Sequence, residues 1–381
     1  MQIKAQAISD VEGLRQIEPL WDAFICEMGG CPFLLGGFAS QFLKPNSGFI
    51  PYILVFSIGR KIVGIVPLKI WEGLFYRKGL ILTHPWFRSD FVIDPVQRDT
   101  VLKETFSILF RKRGIHFVEL RVPSESRDLT VMKKICEELG ISSFTWLSMG
   151  RAIISVEGTW AQFEKPRRSM RRDVERTGRR MMEKGPLEIK WYGSRDDRQE
   201  ALDKILLVEK SSWKYVGQPP ERFELDPSIL HVLDGCAEVS QRFPSFDWGA
   251  AILEHRGKPI AHSLFLEHGG HAYICKTSFS DSHRRHSPGF YINYAVVREL
   301  WHRPGVKVID FMGDLPYARR FASEVVPVNK IVLSRNNLGL FFMATNFLHE
   351  VITHPTPKFM EMTITYLASI LKARIARGAK G

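Results

Sequence analysis

The sequence repeats one arrangement of a hairpin and a strand, and this repeat restricts the folds available to the chain. A short turn within Ile58–Gly64 joins two apolar strand patterns, and the same pattern returns in Arg256–His262. The Gly-led strand pattern Arg113–Leu120 likewise has a counterpart in Pro304–Phe311, roughly 190–200 residues later, as the hairpin has. Two segments in the same order at nearly the same separation indicate a duplicated unit. We therefore predict an α/β (α+β) chain that contains a duplicated unit, with two related domains.

We expect a first domain at residues 1–156, a second at residues 157–336 and a helical tail at residues 337–381. The tail contains two helical patterns, Leu338–Ile352 and Phe359–Arg377, with prolines between them. Apolar residues beside a basic end suit an anionic membrane surface. A C-terminal helix docked on the protein explains the same pattern, so both interpretations of the tail stay open.

Composition excludes several classes of protein. The 381 residues are 45% hydrophobic and 25% charged, which suits a packed core and is unlike a disordered chain. The five cysteines form no Cys-x-x-Cys motif, so we expect a reducing compartment without disulfides or a metal site. No apolar run approaches the roughly 20 residues that span a bilayer, and the start has no signal-peptide pattern. We therefore expect a cytoplasmic protein, with peripheral contact at the inner membrane face as an option for the tail.

The net charge of +12 predicts a polyanionic partner, such as a phosphate-rich cofactor, a nucleic acid or an anionic membrane. Much of this charge lies in Lys165–Lys184, where Met170, Val174 and Met181 recur at helical spacing. This pattern predicts an amphipathic helix with an Arg-rich outer face. Either that face is simply solvated, or it lies beside an active cleft and faces an anion.

One stretch in the second half carries most of the functional signal. It predicts a strand (Ala272–Phe279), a polar basic turn, a helix from about Phe290 to His302 and a second strand (Val306–Phe311). The turn brings two arginines and two histidines to the start of the helix, where backbone N–H groups attract anions. We predict a pyrophosphate site at this turn, with a solvated loop as the alternative.

The order of motifs in the second half resembles the CelD-like acetyltransferase family. This family is a branch of the GNAT superfamily found with polysaccharide-biosynthesis genes. The resemblance is best over about Gly158–Leu333, and the first half resembles the degenerate GNAT-like copy that such tandem proteins carry. It implies two tandem domains, each a mixed, mostly antiparallel sheet flanked by helices. The shared motifs are the Arg-rich helix, Glu209–Lys214, a hairpin ending Pro259–Ala261, Ser287–Gly289 at a helix start, and Asp310–Asp314 followed by Tyr317.

One departure concerns the residue after Tyr317. The family tends to have a lysine there, whereas this chain has Ala318 followed by Arg319 and Arg320. If that lysine touches substrate, this chain uses an arginine, takes another acceptor or has lost activity.

The resemblance implies a donor substrate, acetyl-CoA or another acyl-CoA, held between two strands that separate, and no metal. These strands are Ala272–Phe279 and Val306–Phe311, and the pyrophosphate lies on the basic turn. The pantetheine arm pairs with the exposed backbone like an extra strand. The cofactor-binding residues implied are Lys276, Thr277, Ser278, His283, Arg284, Arg285, Ser287, Pro288 and Gly289.

Acyl transfer from a thioester to an amine needs a base for the ammonium proton and an acid for the thiolate. We predict Asp310 as the base or amine anchor, with helix capping or arginine pairing as alternatives. Tyr317 is the candidate acid, and His262 is either catalytic or a core histidine. The substrate-binding candidates are Lys210, Trp213, Lys214, Tyr273 and Asp314, the last of which can equally be a helix N-cap.

Three functions are consistent with these features. The first is an acyl-CoA-dependent acyltransferase, foremost an N-acetyltransferase, acting on an amine or hydroxyl of a small molecule or polysaccharide precursor. The second is a Fem-type aminoacyl-tRNA-dependent transferase, whose partner is tRNA and which explains the basic charge, although no helical-hairpin insertion is evident. The third is a non-catalytic ligand-binding protein, which Ala318 keeps open.

Overall fold

The structure is a computed structural model of the chain. The predicted tail, together with Trp213 and Lys214, lies outside the residues that it describes. The described residues are 3–28, 32–37, 49–73, 76–82, 91–124, 126–193, 198–212, 235, 237–243 and 246–335.

In the described residues of the first half, helices lie between successive strands or groups of strands. Asp10 caps the first helix by accepting a hydrogen bond from the Gly13 N–H, and Gly140 ends the third in a left-handed conformation, which glycine adopts readily. The elements are β1 (Lys4–Ile8), α1 (Val11–Glu27), β2 (Phe49–Ile58), β3 (Lys61–Glu72), β4 (Arg77–Ile81), β5 (Val92–Ile93), α2 (Arg98–Ser107), β6 (Phe117–Pro123), α3 (Arg127–Leu139) and β7 (Ser142–Ser155).

The second half repeats this plan after two helices that precede its first strand. That edge strand, Leu187–Gly193, was not predicted, although Leu187, Ile189 and Trp191 alternate with Glu188 and Lys190 in the sequence. The elements are α4 (Trp160–Glu164), α5 (Arg168–Met182), β8 (Leu187–Gly193), α6 (Arg198–Lys210), β9 (Phe246–His255), β10 (Lys258–His268), β11 (His271–Phe279), α7 (Pro288–His302), β12 (Val308–Asp310), α8 (Pro316–Arg319) and β13 (Glu324–Ser334).

All the strands form one sheet with the order β1-β2-β3-β4-β6-β13-β7-β12-β11-β10-β9-β8, while β5 pairs with β3. The two halves use their strands in the same way. β4 runs parallel to β6, and β11 runs parallel to β12, whereas the other pairs are antiparallel. This topology confirms the predicted tandem fold. The boundaries at residues 156 and 336 remain a prediction.

The two halves exchange strands at the centre of the sheet. β13, from the second half, inserts between β6 and β7 of the first half. In return, β7 pairs with β12 of the second half. β7 is the long central strand of this exchange, with 14 residues.

An ion pair holds each exchanged strand. Glu119 on β6 accepts from Lys330 on β13 at 3.1 Å. At the equivalent place in the second half, Asp310 on β12 accepts from Arg151 on β7, with a distance of 2.9 Å to Nε. In both copies, therefore, the acidic residue of the later parallel strand is neutralised by a base that the other half supplies.

The second half has helices on both faces of its sheet, and the two faces belong to different cores. Ile205 of α6 packs in one core with Leu264 and Tyr273. Ile292 of α7 packs in the other core with Ile274. A side chain of β11 therefore points either to the α6 face or to the α7 face, and the register decides which.

In the described part of the chain, no helix combines the length and apolarity that crossing a membrane requires.

Asp22 joins α1 to the second half at a fully buried position. Its carboxylate accepts the Gly36 N–H and lies 3.5 Å from the Arg242 guanidinium, on helical residues 237–242. The pKa of Asp22 is raised from 3.8 to about 6, chiefly by burial and also by Glu18, although the Gly36 N–H and Arg242 act in the opposite direction. The folded protein therefore binds this proton more tightly than the unfolded chain does.

Replacing Asp22 by asparagine is expected to stabilise the protein above pH 6 by about 1–3 kcal/mol. Because the folded pKa lies above the unfolded one, the wild-type protein loses stability as pH rises from about 4 to about 6. The variant lacks this loss. Urea unfolding at pH 4.5 and pH 7.5 measures the free energy of unfolding of both proteins. The difference between the variant and the wild-type protein should be larger at pH 7.5. An equal difference in free energy of unfolding at both pH values would contradict the raised pKa of Asp22.

Candidate functional site

β11 and β12 separate after three residue pairs. They pair from His271↔Val308 to Tyr273↔Asp310, and β11 then continues to Phe279. The chain after β12 turns towards β7 instead, since the Phe311 N–H donates to Ala152 O at 3.0 Å. Among the described strands, none extends the pairing of β11 with β12 beyond Tyr273 on this edge. The two strands therefore diverge, and a gap of this kind can hold an extended molecule that carries hydrogen-bonding groups of its own.

A β-bulge lies in β11 at the point where the strands separate. Leu264 pairs with Lys276 while Phe265 pairs with Ile274, so Cys275 is an extra residue. Ile274 belongs to the core under α7, whereas Cys275 packs against the core under α6. Bulges redirect side chains, and here both Cys275 and Lys276 point to the α6 face.

On the α6 face, a buried carboxylate lies next to two basic groups. His262 Nε2 lies 2.8 Å from Glu209 Oε1, with both side chains fully buried. Lys276 Nζ lies 3.8 Å from the same oxygen and its side chain is 18% exposed. Glu209 can therefore hold the Lys276 ammonium at the border of the gap.

Glu209 was not among the predicted site residues, although the sequence contained a signal for it. It follows Ala201 and Ile205 at four-residue intervals, which places it on the buried face of α6. A carboxylate on an apolar helix face needs a cationic partner. That reasoning would have led to His262.

On the α7 face, a hydroxyl of β11 ties the strand to the helix. Thr277 Oγ1 donates to Asn293 Oδ1 at 2.9 Å, and Ser263 Oγ of β10 donates to the same oxygen at 3.0 Å. Ser278 is buried on the opposite face, and its Oγ has no hydrogen-bond partner among the described residues. Of the predicted residues Thr277 and Ser278, the first therefore supports α7 and the second faces α6.

The start of α7 lies at the far end of the gap. Residues Asp281–His286 form a 3-10 helix rather than the predicted turn. Ser287 occupies the N-cap position of α7, but it is left-handed and its side chain makes no capping hydrogen bond. A Cβ at Gly289 would meet Phe279 at 2.9 Å, so glycine lets the helix start approach the end of β11. The helix start thus lacks a side-chain cap, and Pro288 has no N–H to satisfy.

Cationic side chains surround this helix start. Arg284 is largely exposed and lies 3.9 Å from Asp281, while Arg285 Nε donates to His286 Nε2 at 3.3 Å. α5 lies alongside, because Gly178 packs against Tyr291 of α7. The predicted amphipathic helix is therefore present, and it borders the predicted anion site.

Asp310 does not face the gap as a free carboxylate. It is fully buried, its Oδ2 accepts from Arg151, and its Oδ1 accepts the Met312 N–H at 2.7 Å. This is the arginine-pairing alternative, and it replaces the assignment of Asp310 as a base that touches substrate. A carboxylate in this ion pair holds the end of β12 in place.

Tyr317 lies on the α7 face of the sheet, in α8. Its ring centroid is 6.1 Å from that of Phe311, directly after β12, and burial raises the pKa of its hydroxyl. The hydroxyl of Tyr317 therefore stays a proton donor at neutral pH.

Asp314 is not the N-cap of α8, because Leu315 takes that position. The carboxylate of Asp314 pairs with Arg319 instead.

The other substrate-binding candidates lie at the two ends of the α6 face. Tyr273 is buried at the last paired position of β11, and its ring is 5.2 Å from that of Phe33 in the first half. Lys210 is exposed at the end of α6. The Ser211 carbonyl accepts the Asp281 N–H at 2.8 Å, so the end of α6 contacts the basic 3-10 helix.

In the described residues, no group of three or more His, Cys, Asp or Glu side chains could hold a metal ion.

Comparison with protein families gives a match over residues 168–319 to the acetyltransferase (GNAT) domain. FemX superposes with a TM-score of 0.58 at 11% identity, covering 89% of this chain and 99% of that chain. The L-PGS of Bacillus licheniformis superposes with a TM-score of 0.54 at 12% identity, covering 89% and 96%. At these identities the structural likeness shows a shared fold. Comparison with curated protein sequences gives no match.

Proposed function

We propose that this chain, whose residues 168–319 match the GNAT acetyltransferase domain, transfers an acyl group from a coenzyme A thioester to an amine or hydroxyl. The observation that carries the proposal is the gap beside β11, which leads to an uncapped helix start among cations. The donor has a matching shape, namely an extended amide-containing arm that ends in a pyrophosphate. The arm lies along β11 where it diverges from β12, and the pyrophosphate binds at Gly289.

A backbone N–H at the β-bulge of β11 stabilises the negative charge that develops during the reaction. The acceptor's nitrogen or oxygen forms a bond to the thioester carbonyl carbon, and the C–S bond then breaks. Negative charge develops on the carbonyl oxygen, and an N–H of β11 near Cys275 stabilises it. Tyr317 gives its proton to the departing sulfur, while the acceptor's proton passes to solvent water on the α6 face.

The acceptor enters from the α6 face, opposite to Tyr317. Lys276 and Ser278 line this side. Because Glu209 and His262 are fully buried, they act on the acceptor through Lys276, as positioning residues. The resemblance to the CelD-like family supports a small molecule or polysaccharide precursor as the acceptor. Arg319, which is held by Asp314, is the nearest arginine to replace the lysine that this chain lacks.

Acetyl-CoA is expected to raise the melting temperature of the wild-type protein, as a ligand specific for the folded state does. Arg284→Glu combined with Arg285→Glu should abolish this shift, because charge reversal beside the helix start repels the pyrophosphate. Differential scanning fluorimetry over a range of acetyl-CoA concentrations measures both.

The matched control is Arg60→Glu with Lys61→Glu, which makes the same charge change at the exposed β2–β3 turn of the first half. The control should keep the full shift. If wild-type protein shows no shift with coenzyme A or any thioester, the proposed donor is wrong.

A Fem-type transferase is the second candidate. The FemX likeness favours it, and so does the outer face of α5, where Arg168, Arg172 and Arg179 are exposed and have no ion pair among the described residues. Such a face suits an RNA backbone. Filter binding of aminoacyl-tRNA at low salt separates the candidates: salt-sensitive retention supports this one, and no retention excludes it.

A further inference from the structure

Three histidines from two elements meet beside the start of α7. His255, at the end of β9, lies with its Nδ1 3.3 Å from His283 Nε2. His286 Nε2 lies 3.4 Å from Lys184 Nζ and 3.3 Å from Arg285 Nε. We call these five residues the histidine cluster. Its members come from β9, the 3-10 helix before α7 and the end of α5.

The cluster brings positive groups together without a carboxylate among them. Arg180 of α5 adds a further charge that acts on His286, and Asp281, an acid of the same 3-10 helix, lies 3.9 Å from Arg284. A lysine and an arginine that both approach one imidazole nitrogen require that nitrogen to be neutral. Such an arrangement is favourable when an anion lies between its members.

The titration of the histidines agrees with this geometry. Burial lowers the pKa of His283, and the neighbouring His255, His286, Lys184 and Arg285 lower it further. Burial also lowers the pKa of His286, followed by Lys184, Arg285, Arg180 and His255. Every charged group that acts on these two rings is therefore basic.

We propose that the histidine cluster binds a phosphate monoester dianion, the terminal phosphate on the nucleotide part of the donor. The inference rests on the proposed function, because the donor carries this phosphate in addition to its pyrophosphate. The pyrophosphate occupies the helix start at Gly289, and Arg284 faces it. The cluster lies beside that site, towards α5, and its five basic groups match the doubly charged monoester.

Binding of the dianion stabilises the protonated forms of His283 and His286. The protein therefore takes up protons when the complete donor binds, and it binds that donor more tightly as pH falls from 8 to 6. A donor without the monoester leaves the cluster empty, so its affinity changes little with pH. The cluster thereby selects complete coenzyme A over its dephosphorylated form.

Isothermal titration calorimetry with coenzyme A and dephospho-coenzyme A, at pH 6 and pH 8, tests the proposal. We expect coenzyme A to bind about 10- to 100-fold more tightly than dephospho-coenzyme A at pH 6, and the ratio to shrink at pH 8. Repeating the titration in buffers of different ionisation enthalpy should show proton uptake with coenzyme A alone. The Lys184→Gln/His286→Gln variant should bind both ligands with the affinity of dephospho-coenzyme A.

The outcomes separate this inference from the proposed function. If neither ligand binds, the proposed function is wrong. If both bind equally at both pH values, the donor assignment stands and the histidine cluster is not a phosphate site. The measurements on wild-type protein decide this even if the variant does not fold.

Discussion

Replacing Tyr317 by phenylalanine is expected to lower kcat for acyl transfer about 100- to 1000-fold, within the range that a positioned general acid contributes. The hydroxyl is the group that we expect to protonate the departing thiolate, and phenylalanine keeps the ring that packs near Phe311. KM for the acyl-CoA donor should change little. Steady-state release of free thiol, followed with a thiol reagent, measures both constants.

The pH profile gives a second readout for Tyr317. Because burial raises the pKa of this phenol, the acid form persists above the ordinary tyrosine pKa of about 10. The alkaline side of the wild-type kcat profile should therefore not fall until beyond that value. Tyr291→Phe is the matched control, since burial also raises the pKa of Tyr291 but its ring packs against α5. Equal losses in the two variants would show that the effect is not specific to the Tyr317 hydroxyl and would contradict its role as the acid.

Replacing Asp310 by alanine is expected to lower the free energy of unfolding by about 3–5 kcal/mol, the range for removing one partner of a buried ion pair. The change takes the carboxylate away from Arg151 and the acceptor away from the Met312 N–H. Both lie where β12 meets the exchanged strand β7. Chemical denaturation followed by circular dichroism measures the loss.

Two further variants test this explanation. Arg171→Ala/Glu175→Ala removes an ion pair in which both side chains are over half exposed, and should cost about 0.5 kcal/mol or less. The apolar pair Arg151→Met/Asp310→Leu should recover much of the loss of Asp310→Ala, because it leaves no buried charge without its counter-ion. A loss below 1 kcal/mol in Asp310→Ala would return this residue to the list of candidate bases.

The repeat and the strand before α7 could be predicted from the sequence because their signals are local. A glycine turn between apolar strands and a methionine stripe at helical spacing each describe a few neighbouring residues. They specify β2–β3, β9–β10 and α5 without knowledge of the rest of the chain. The basic residues before α7 were equally visible.

The strand exchange could not be predicted, because it pairs β7 with elements about 170 residues later in the chain. An apolar strand pattern shows that a strand is buried but does not specify its neighbour. The role of Asp310 depends on the same exchange, since Arg151 reaches it only through β7. Glu209 differs, because its helical spacing with Ala201 and Ile205 was present in the sequence.

The exchange of central strands has a consequence for synthesis on the ribosome. When the first half has emerged, β6 and β7 lack the strand that lies between them, and their facing edges are open until β13 is translated. Exposed edges of this kind pair with other chains. The nascent protein therefore needs protection for most of the time that its second half is being made, and a stop codon before Glu324 would leave both halves incomplete.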